Sequence, residues 1–193
     1  IYILGSRTGS SSMYQPDPSC FDSHGIKKKD YKNYEITETI QIDCDSLDTS
    51  LKNLEIDKLD YLKVDTQGAE LEVLRGIGTF RPLLIKIEAH IFSMYKEVPS
   101  WIELLNCLHE LNYIAIDWKG IGSHASRIPA EMDIIFIPNF KNKEGKNLIS
   151  VNENKFVSLM LIFGQINLLK IISNTCKFRS TSEINNFEDR FFN

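Results

Sequence analysis

Apolar positions recur with a changing period along this chain, and each change marks an element. Residues 1–4 are apolar and extended, and "GSRTGSSS", 5–12, reads as a loop. Gln15-Pro16-Asp17-Pro18-Ser19 continues irregular structure to about residue 34. In "ITETIQID", 36–43, Ile36, Ile40 and Ile42 alternate with polar residues, which predicts a half-exposed strand. Leu47, Leu51 and Leu54 recur at helical spacing and predict a short amphipathic helix over 46–54.

From residue 61 the pattern becomes regular. "YLKVD", 61–65, reads as a strand, and "GAELEVLRG", 68–76, as a helix that Gly76 ends. "LLIKIEAH", 83–90, is a second strand of this series. "SWIELLNCLHELN", 100–112, is an amphipathic helix with Ile102, Leu105, Leu108 and Leu111 expected inward. Strands follow at 113–118 and 133–138, joined by "KGIGSHASRIPAEM". Alternating strands and helices imply right-handed crossovers and a parallel sheet covered on both faces. The last two strands have no helix between them, so an antiparallel arm is expected at the end of that sheet. From residue 141 the chain turns polar, which predicts a linker, then one helix over 156–172 and a polar tail. The expected organisation is an α/β domain over 1–140, with linker and helical tail over 141–193.

Composition narrows the class. The chain has 193 residues, 42% hydrophobic and 25% charged, which is globular and not disordered. The net charge of −4 argues against a nucleic-acid partner. Lys27-Lys28-Lys29 is the one basic cluster and reads as a solvated loop. Cys20, Cys44, Cys107 and Cys176 lack metal or redox spacing and read as reduced, mostly buried cysteines of a cytoplasmic protein. The 156–172 segment is polar enough, and short enough, to favour a core or subunit-pairing helix over a membrane span. The chain opens inside a strand without methionine, so an N-terminal portion is expected to precede it.

Chemistry concentrates in two strands. Side chains alternate along a strand, so Lys63 and Asp65 share a face, ~7 Å apart. Lys86, Glu88 and His90 share a face of the later strand, with Ile85, Ile87 and Ala89 on the other. If the two strands are neighbours, five ionisable groups meet near the carboxyl ends of parallel strands, where open α/β sheets bind ligands. Unpaired buried charge costs several kcal/mol, so such a set implies a role. The plain alternative is cross-strand ion pairing, of Lys63 with Glu88 or of Lys86 with Asp65. Glu70 sits in a first helical turn, where the dipole favours a carboxylate, and Gly68 allows a tight turn or close approach. His24 reads as solvated and His109 as a surface residue. His124 and Arg127 lie on a loop leaving the carboxyl end of a strand and are candidates for the substrate pocket.

"YLKVDTQGAELEVLRG", 61–76, resembles the signature of the FkbM-type methyltransferase family: Lys63, Asp65, Gly68, Glu70, Leu74 and Gly76 fall at its positions. "GSSSMYQP", 9–16, is similar to the family's Gly-x-Ser-Ser segment. "IQIDCDSL", 40–47, retains Asp45 with Cys44 in place of a leucine. "IKIEAH", "EMDIIFIPN" and "LNYIAIDW", where Asn112 replaces a glycine, are similar to later strands. The resemblance covers roughly residues 1–140. It implies a Rossmann-like class I sheet and S-adenosylmethionine as cofactor. The family's Asp-x-Gly-x-x-x-Gly cofactor loop has no counterpart here, so the chain is expected to be the C-terminal part of the domain and to bind the cofactor weakly by itself.

The implied reaction is methyl transfer to a hydroxyl of a saccharide, lipid or secondary metabolite. Asp65 is the first candidate for base or metal ligand, with Glu88 and His90 able to share that task. Lys63 would hold the developing alkoxide or keep Asp65 ionised. Asp65, Gln67 and Gly68 are candidate cofactor contacts; Ser11, Ser12, Glu70, His124 and Arg127 are candidate substrate contacts. A divalent metal is left open. Lys63, Asp65, Lys86 and Glu88 also resemble, in composition only, the Lys-Asp-Lys-Glu set of ribose methyltransferases. Rival readings are a non-catalytic binding module that keeps half of the fold, and a split enzyme needing a separate N-terminal chain.

Overall fold

The computed structural model describes residues 1–121 and 130–186. Strands β1 (Tyr2–Leu4) and β2 (Ile36–Thr39) form an antiparallel pair. All four residues of β2 are exposed, rather than half of them as the alternation predicted. Between β1 and β2 the chain runs through three short 3-10 stretches, the second being Pro18–His24. Helix α1 (Leu47–Asn53) follows, capped by the Ser46 hydroxyl.

The main sheet has four strands in the order β3-β4-β6-β5. They are β3 (Tyr61–Val64), β4 (Leu84–His90), β5 (Tyr113–Ile121) and β6 (Glu131–Pro138). β3 and β4 are parallel, with Lys63 beside Lys86 and Val64 beside Ile87. β6 runs antiparallel to both β4 and β5. The reversed strand is thus inserted between β4 and β5, not added at the sheet's end as expected. The cause is burial on both faces: Ile134, Ile135, Phe136 and Ile137 are all buried, which suits an interior strand. β5 alternates and exposes Trp118 at 68%, which suits an edge.

Helices cover each face. α2 (Glu70–Arg75) and α3 (Trp101–Glu110) pack Leu74, Leu104 and Leu108 against Val64, Ile85, Ile87 and Ala89. In α3 the inward stripe is Leu104 and Leu108, while Ile102 is 53% exposed, contrary to the inward position expected for it. The capping box between Ser100 and Glu103 starts the helix at Trp101, which sets that phase. Asn112 ends it at φ +69°, a left-handed conformation that glycine or asparagine tolerates.

The polar stretch expected to be a linker folds as α4 (Lys143–Val151), capped by Asn142. The single helix expected over 156–172 is two, α5 (Glu153–Ile162) and α6 (Ile166–Cys176), separated at Gly164, whose φ is +69°. α7 (Thr181–Asn185) completes the described chain. Phe156, Met160, Leu169 and Ile172 share one cluster with Leu83, Leu84, Ile135 and Ile137 of the sheet. Local periodicity missed α4 because its apolar content is low and its stability comes from this packing. No described helix is long and apolar enough to cross a membrane. All four cysteines are free; Cys44 is exposed and the others are half-buried, so the expected burial is not met.

Candidate functional site

The Lys63–Gly76 stretch builds a turn that the sequence makes almost obligatory. After β3, Gln67 and Gly68 adopt φ of +56° and +109° and swing the chain into α2. The Glu70 carboxylate closes this turn. It accepts hydrogen bonds from the backbone N–H of Thr66 at 2.9 Å, the N–H of Gly68 at 3.1 Å, and the Thr66 hydroxyl. Glu70 is 3% exposed and is engaged by its own turn. A Cβ on Gly68 would lie 2.8 Å from Val98 Cγ2, on top of the positive φ. Gly68→Ala is therefore expected to lower stability by about 1–3 kcal/mol, read as a lower denaturant midpoint at unchanged slope. An unchanged midpoint would show that the turn accepts a side chain.

The N-terminal loop is fastened to this turn. The Ser12 hydroxyl donates to the Gln67 carbonyl at 2.6 Å and accepts from the Tyr14 N–H at 3.0 Å. Ser11 Oγ accepts from the Leu4 N–H. Tyr14 donates to Glu72 at 2.8 Å; burial first, and then Glu72, push its pKa up to about 12.

The charged side chains of β3 and β4 meet as the alternation predicted; Lys63 pairs with Asp65, one of the two roles expected for it, and not with Glu88, while Lys86 does not pair with Asp65. Lys63 donates to Asp65 Oδ2 at 2.5 Å along the same strand. Lys86 pairs with Asp133 of β6 at 2.7 Å. Each lysine thus has its own acid, which lets the two lie side by side in register. The Gln67 amide lies between the carboxylates, donating to Asp65 Oδ1 at 3.2 Å and to Glu88 Oε1 at 3.3 Å. Tyr95 Oη stands 2.7 Å from Gln67 Oε1 and 2.8 Å from the Ser10 carbonyl.

The environments push the two carboxylates apart. The Lys63 hydrogen bond, and then the Gln67 amide, outweigh burial and hold Asp65 below the usual carboxylate range. Burial, with Glu131 and Asp65 nearby, raises Glu88 to about 7.

His90, at the end of β4, is buried. Burial opposes its charge, yet facing Glu131, Glu70 and Glu88 raise its pKa overall. Its Nδ1 is 3.4 Å from Glu131 Oε1, and neither ring nitrogen has a hydrogen-bond partner among the described residues. His24, expected in solvent, instead has a side chain only 5% exposed and stands 3.4 Å from the same Glu131 oxygen. Sequence reading missed Glu131, Asp133, Tyr95 and this role of His24. Glu131 and Asp133 carried a usable signal, since they share a face of β6; nothing local marked His24. The expected pocket residues His124 and Arg127 lie outside the described residues.

Two cavities of about 460 and 400 Å³ lie elsewhere. They involve Asn152, Glu153 and Arg179, and Asp60, Leu83 and Leu148, toward the amino ends of β3 and β4. In the first, the Ser180 hydroxyl donates to the Glu153 carboxylate at 2.7 Å. The ionisable side chains of β3 and β4 converge instead at the carboxyl ends of these strands, where open α/β sheets bind ligands.

A mixed sheet flanked by helices makes this an α/β domain, consistent with a methyltransferase-like fold. Comparison with protein families matches residues 2–115 to the Methyltransferase FkbM domain, and the chain belongs to that family. No curated protein and no solved structure matches it.

Proposed function

We propose that this protein is an S-adenosylmethionine-dependent O-methyltransferase acting on a hydroxyl of a saccharide, lipid or secondary metabolite. The observation that carries this reading is the Gln67 amide joining Asp65 and Glu88 at the carboxyl ends of two parallel strands, inside the family-matched region.

The residues at the end of β3 fit part of such a cofactor. Asp65 uses one acceptor position on each oxygen for Lys63 and Gln67, and a carboxylate has about four. It retains capacity for hydroxyl donors, and Lys63 keeps it ionised to serve them. When bound, the cofactor supplies an electrophilic methyl on a sulfonium. Glu88 is the base: its described contact is one long bond from Gln67, whereas Asp65 is held by a lysine. It would take and hold the acceptor hydroxyl's proton. Glu70 and Ser12 position the turn that carries Gln67, and Gln67 holds the two carboxylates at a set separation.

β3 pairs on one side only among the described strands. We propose that an N-terminal segment of the same protein supplies the cofactor's other wall along that open edge. Four free cysteines fit a reducing compartment, and the cytoplasm is the location we propose.

The test is calorimetry with S-adenosylmethionine on the native protein containing this chain, then isotope-labelled methyl transfer to a panel of hydroxylated acceptors. Saturable donor binding with label on an acceptor oxygen is expected; folded protein that neither binds donor nor transfers label would refute the reading. Asp65→Asn should weaken donor binding by roughly tenfold or more, the loss of a charge-assisted bond. An unchanged dissociation constant would remove Asp65 from the cofactor contacts.

A further inference from the structure

The segment between β4 and α3 is tied to the N-terminal loop around one tyrosine. The Lys96 N–H donates to the Gln15 carbonyl at 2.8 Å, the Asp17 N–H donates to the Met94 carbonyl at 2.6 Å, and Tyr95 itself bridges to Pro16. The Tyr95 N–H donates to Ser93 Oγ at 2.9 Å. Tyr95 is 3% exposed, packs with Phe21, Met94 and Val98, and stands edge-on to His90 at 6.1 Å. A backbone fastened on both sides and a packed ring give the hydroxyl a set position.

That position lies between two acceptors. Tyr95 Oη is 2.7 Å from Gln67 Oε1 and 2.8 Å from the Ser10 carbonyl. A phenol has one hydrogen, and a carbonyl oxygen can only accept it. Burial first, and then Glu131 and Glu70, push the Tyr95 pKa up, so the hydrogen stays on the hydroxyl.

The carboxylates decide which way the Gln67 amide lies. Lys63 keeps Asp65 ionised, and an ionised carboxylate only accepts. The end of the amide 3.2 Å from Asp65 Oδ1 and 3.3 Å from Glu88 Oε1 is therefore its nitrogen. Oε1 is left facing Tyr95, whose hydroxyl is its one donor among the described residues. Turned over, the amide would set its oxygen against two carboxylate oxygens and release the Tyr95 hydrogen to Ser10.

We propose that Tyr95 is a positioning residue of this site: its hydroxyl holds Gln67 Oε1 and thereby keeps the Gln67 amide nitrogen on Asp65 and Glu88. Tyr95 makes no hydrogen bond to either carboxylate and acts on them through Gln67. Its effect on turnover rests on the methyl-transfer reading, in which Glu88 is the base; the hydrogen-bond relay does not. Glu88 is faced by Lys63 and by Asp65 after β3, by His90 on its own strand, and by Glu131 and Asp133 of β6, with His24 behind Glu131 and Lys86 behind Asp133. Neutral replacements of Tyr95 or Gln67 leave all of these charges in place. An N–H bond favours the ionised carboxylate, so losing it raises the pKa of Glu88.

The experiment is a carbon-13 NMR titration of the Glu88 carboxyl in the native protein containing this chain, with the resonance assigned by its loss in Glu88→Gln. Tyr95→Phe, which keeps the ring and its packing, is expected to raise the Glu88 midpoint by about half a pH unit to one pH unit, the equivalent of one hydrogen bond. Gln67→Met should raise it at least as far, and the double variant should go no further than Gln67→Met. The acid limb of kcat should move to higher pH by the same amounts. Circular dichroism establishes the fold of each variant. Should Tyr95→Phe fail to fold, the wild type decides: its Tyr95 hydroxyl proton must show a nuclear Overhauser contact to the Gln67 side chain, and contact with Ser10 alone would overturn the relay. An unmoved Glu88 midpoint in folded Tyr95→Phe, or a further shift when Tyr95→Phe is added to Gln67→Met, would overturn it equally. The titration needs no turnover, so a shift in protein that transfers no methyl group would leave the relay standing while the methyl-transfer reading fell.

Discussion

Glu88→Gln is expected to lower turnover by about 10²–10⁴-fold while donor affinity stays near that of the wild type. Gln keeps the shape of the side chain, and its amide oxygen can still accept from Gln67 Nε2. What it loses is the ability to take a proton. Asp65 cannot replace it, because Lys63 donates to Asp65 at 2.5 Å and holds it as a weakly basic ion. The measurement is steady-state kinetics on the native protein containing this chain, with donor binding read separately by calorimetry. A loss confined to kcat fits proton transfer. A rise in KM at unchanged kcat would make Glu88 a binding group, and wild-type rates would end its assignment.

Phe156→Ala is expected to lower stability by about 3–5 kcal/mol. Phe156 is fully buried, lies edge-on to Phe178 at 6.2 Å, and shares a cluster with Leu84, Ile135 and Ile137 of the sheet. Domain stabilities are roughly 5–15 kcal/mol, so this loss is a large fraction of the whole. Because the cluster crosses from α5 to β4 and β6, we expect tail and sheet to unfold together. Denaturant titration gives the magnitude, and hydrogen exchange of the β4 amides tests the coupling. Ile162→Ala, at a residue 75% exposed on the same helix, should change stability by no more than about 0.5 kcal/mol. Loss of α5–α7 with undiminished protection in β4 would show that the tail is an independent unit.

Much of the site was legible because it is local. Lys63 and Asp65 share a face, and so do Lys86, Glu88 and His90, because a strand has a period of two. The turn at 65–69 was legible because Gly68 precedes a helical run and a carboxylate sits at the first turn. Of the pairings, only that of Lys63 with Asp65 was legible. Lys63 chose the aspartate two residues on, and Lys86 chose Asp133, which reaches it only because β6 lies beside β4. The position of β6 was readable in retrospect: "DIIFIP" lacks polar alternation, and a strand without a polar face belongs inside a sheet.

From period alone follow the sheet-and-helix alternation and the carboxylates and lysines on two strand faces, and the motif at residues 61–76 carries the resemblance. These follow because backbone geometry imposes them over a few residues. Only tertiary structure decided that β6 enters between β4 and β5, that the polar stretch after residue 140 folds against the sheet, and that His24 and His90 both face Glu131. Such meetings depend on which buried surfaces fit together across long stretches of chain, and no short window of residues encodes that.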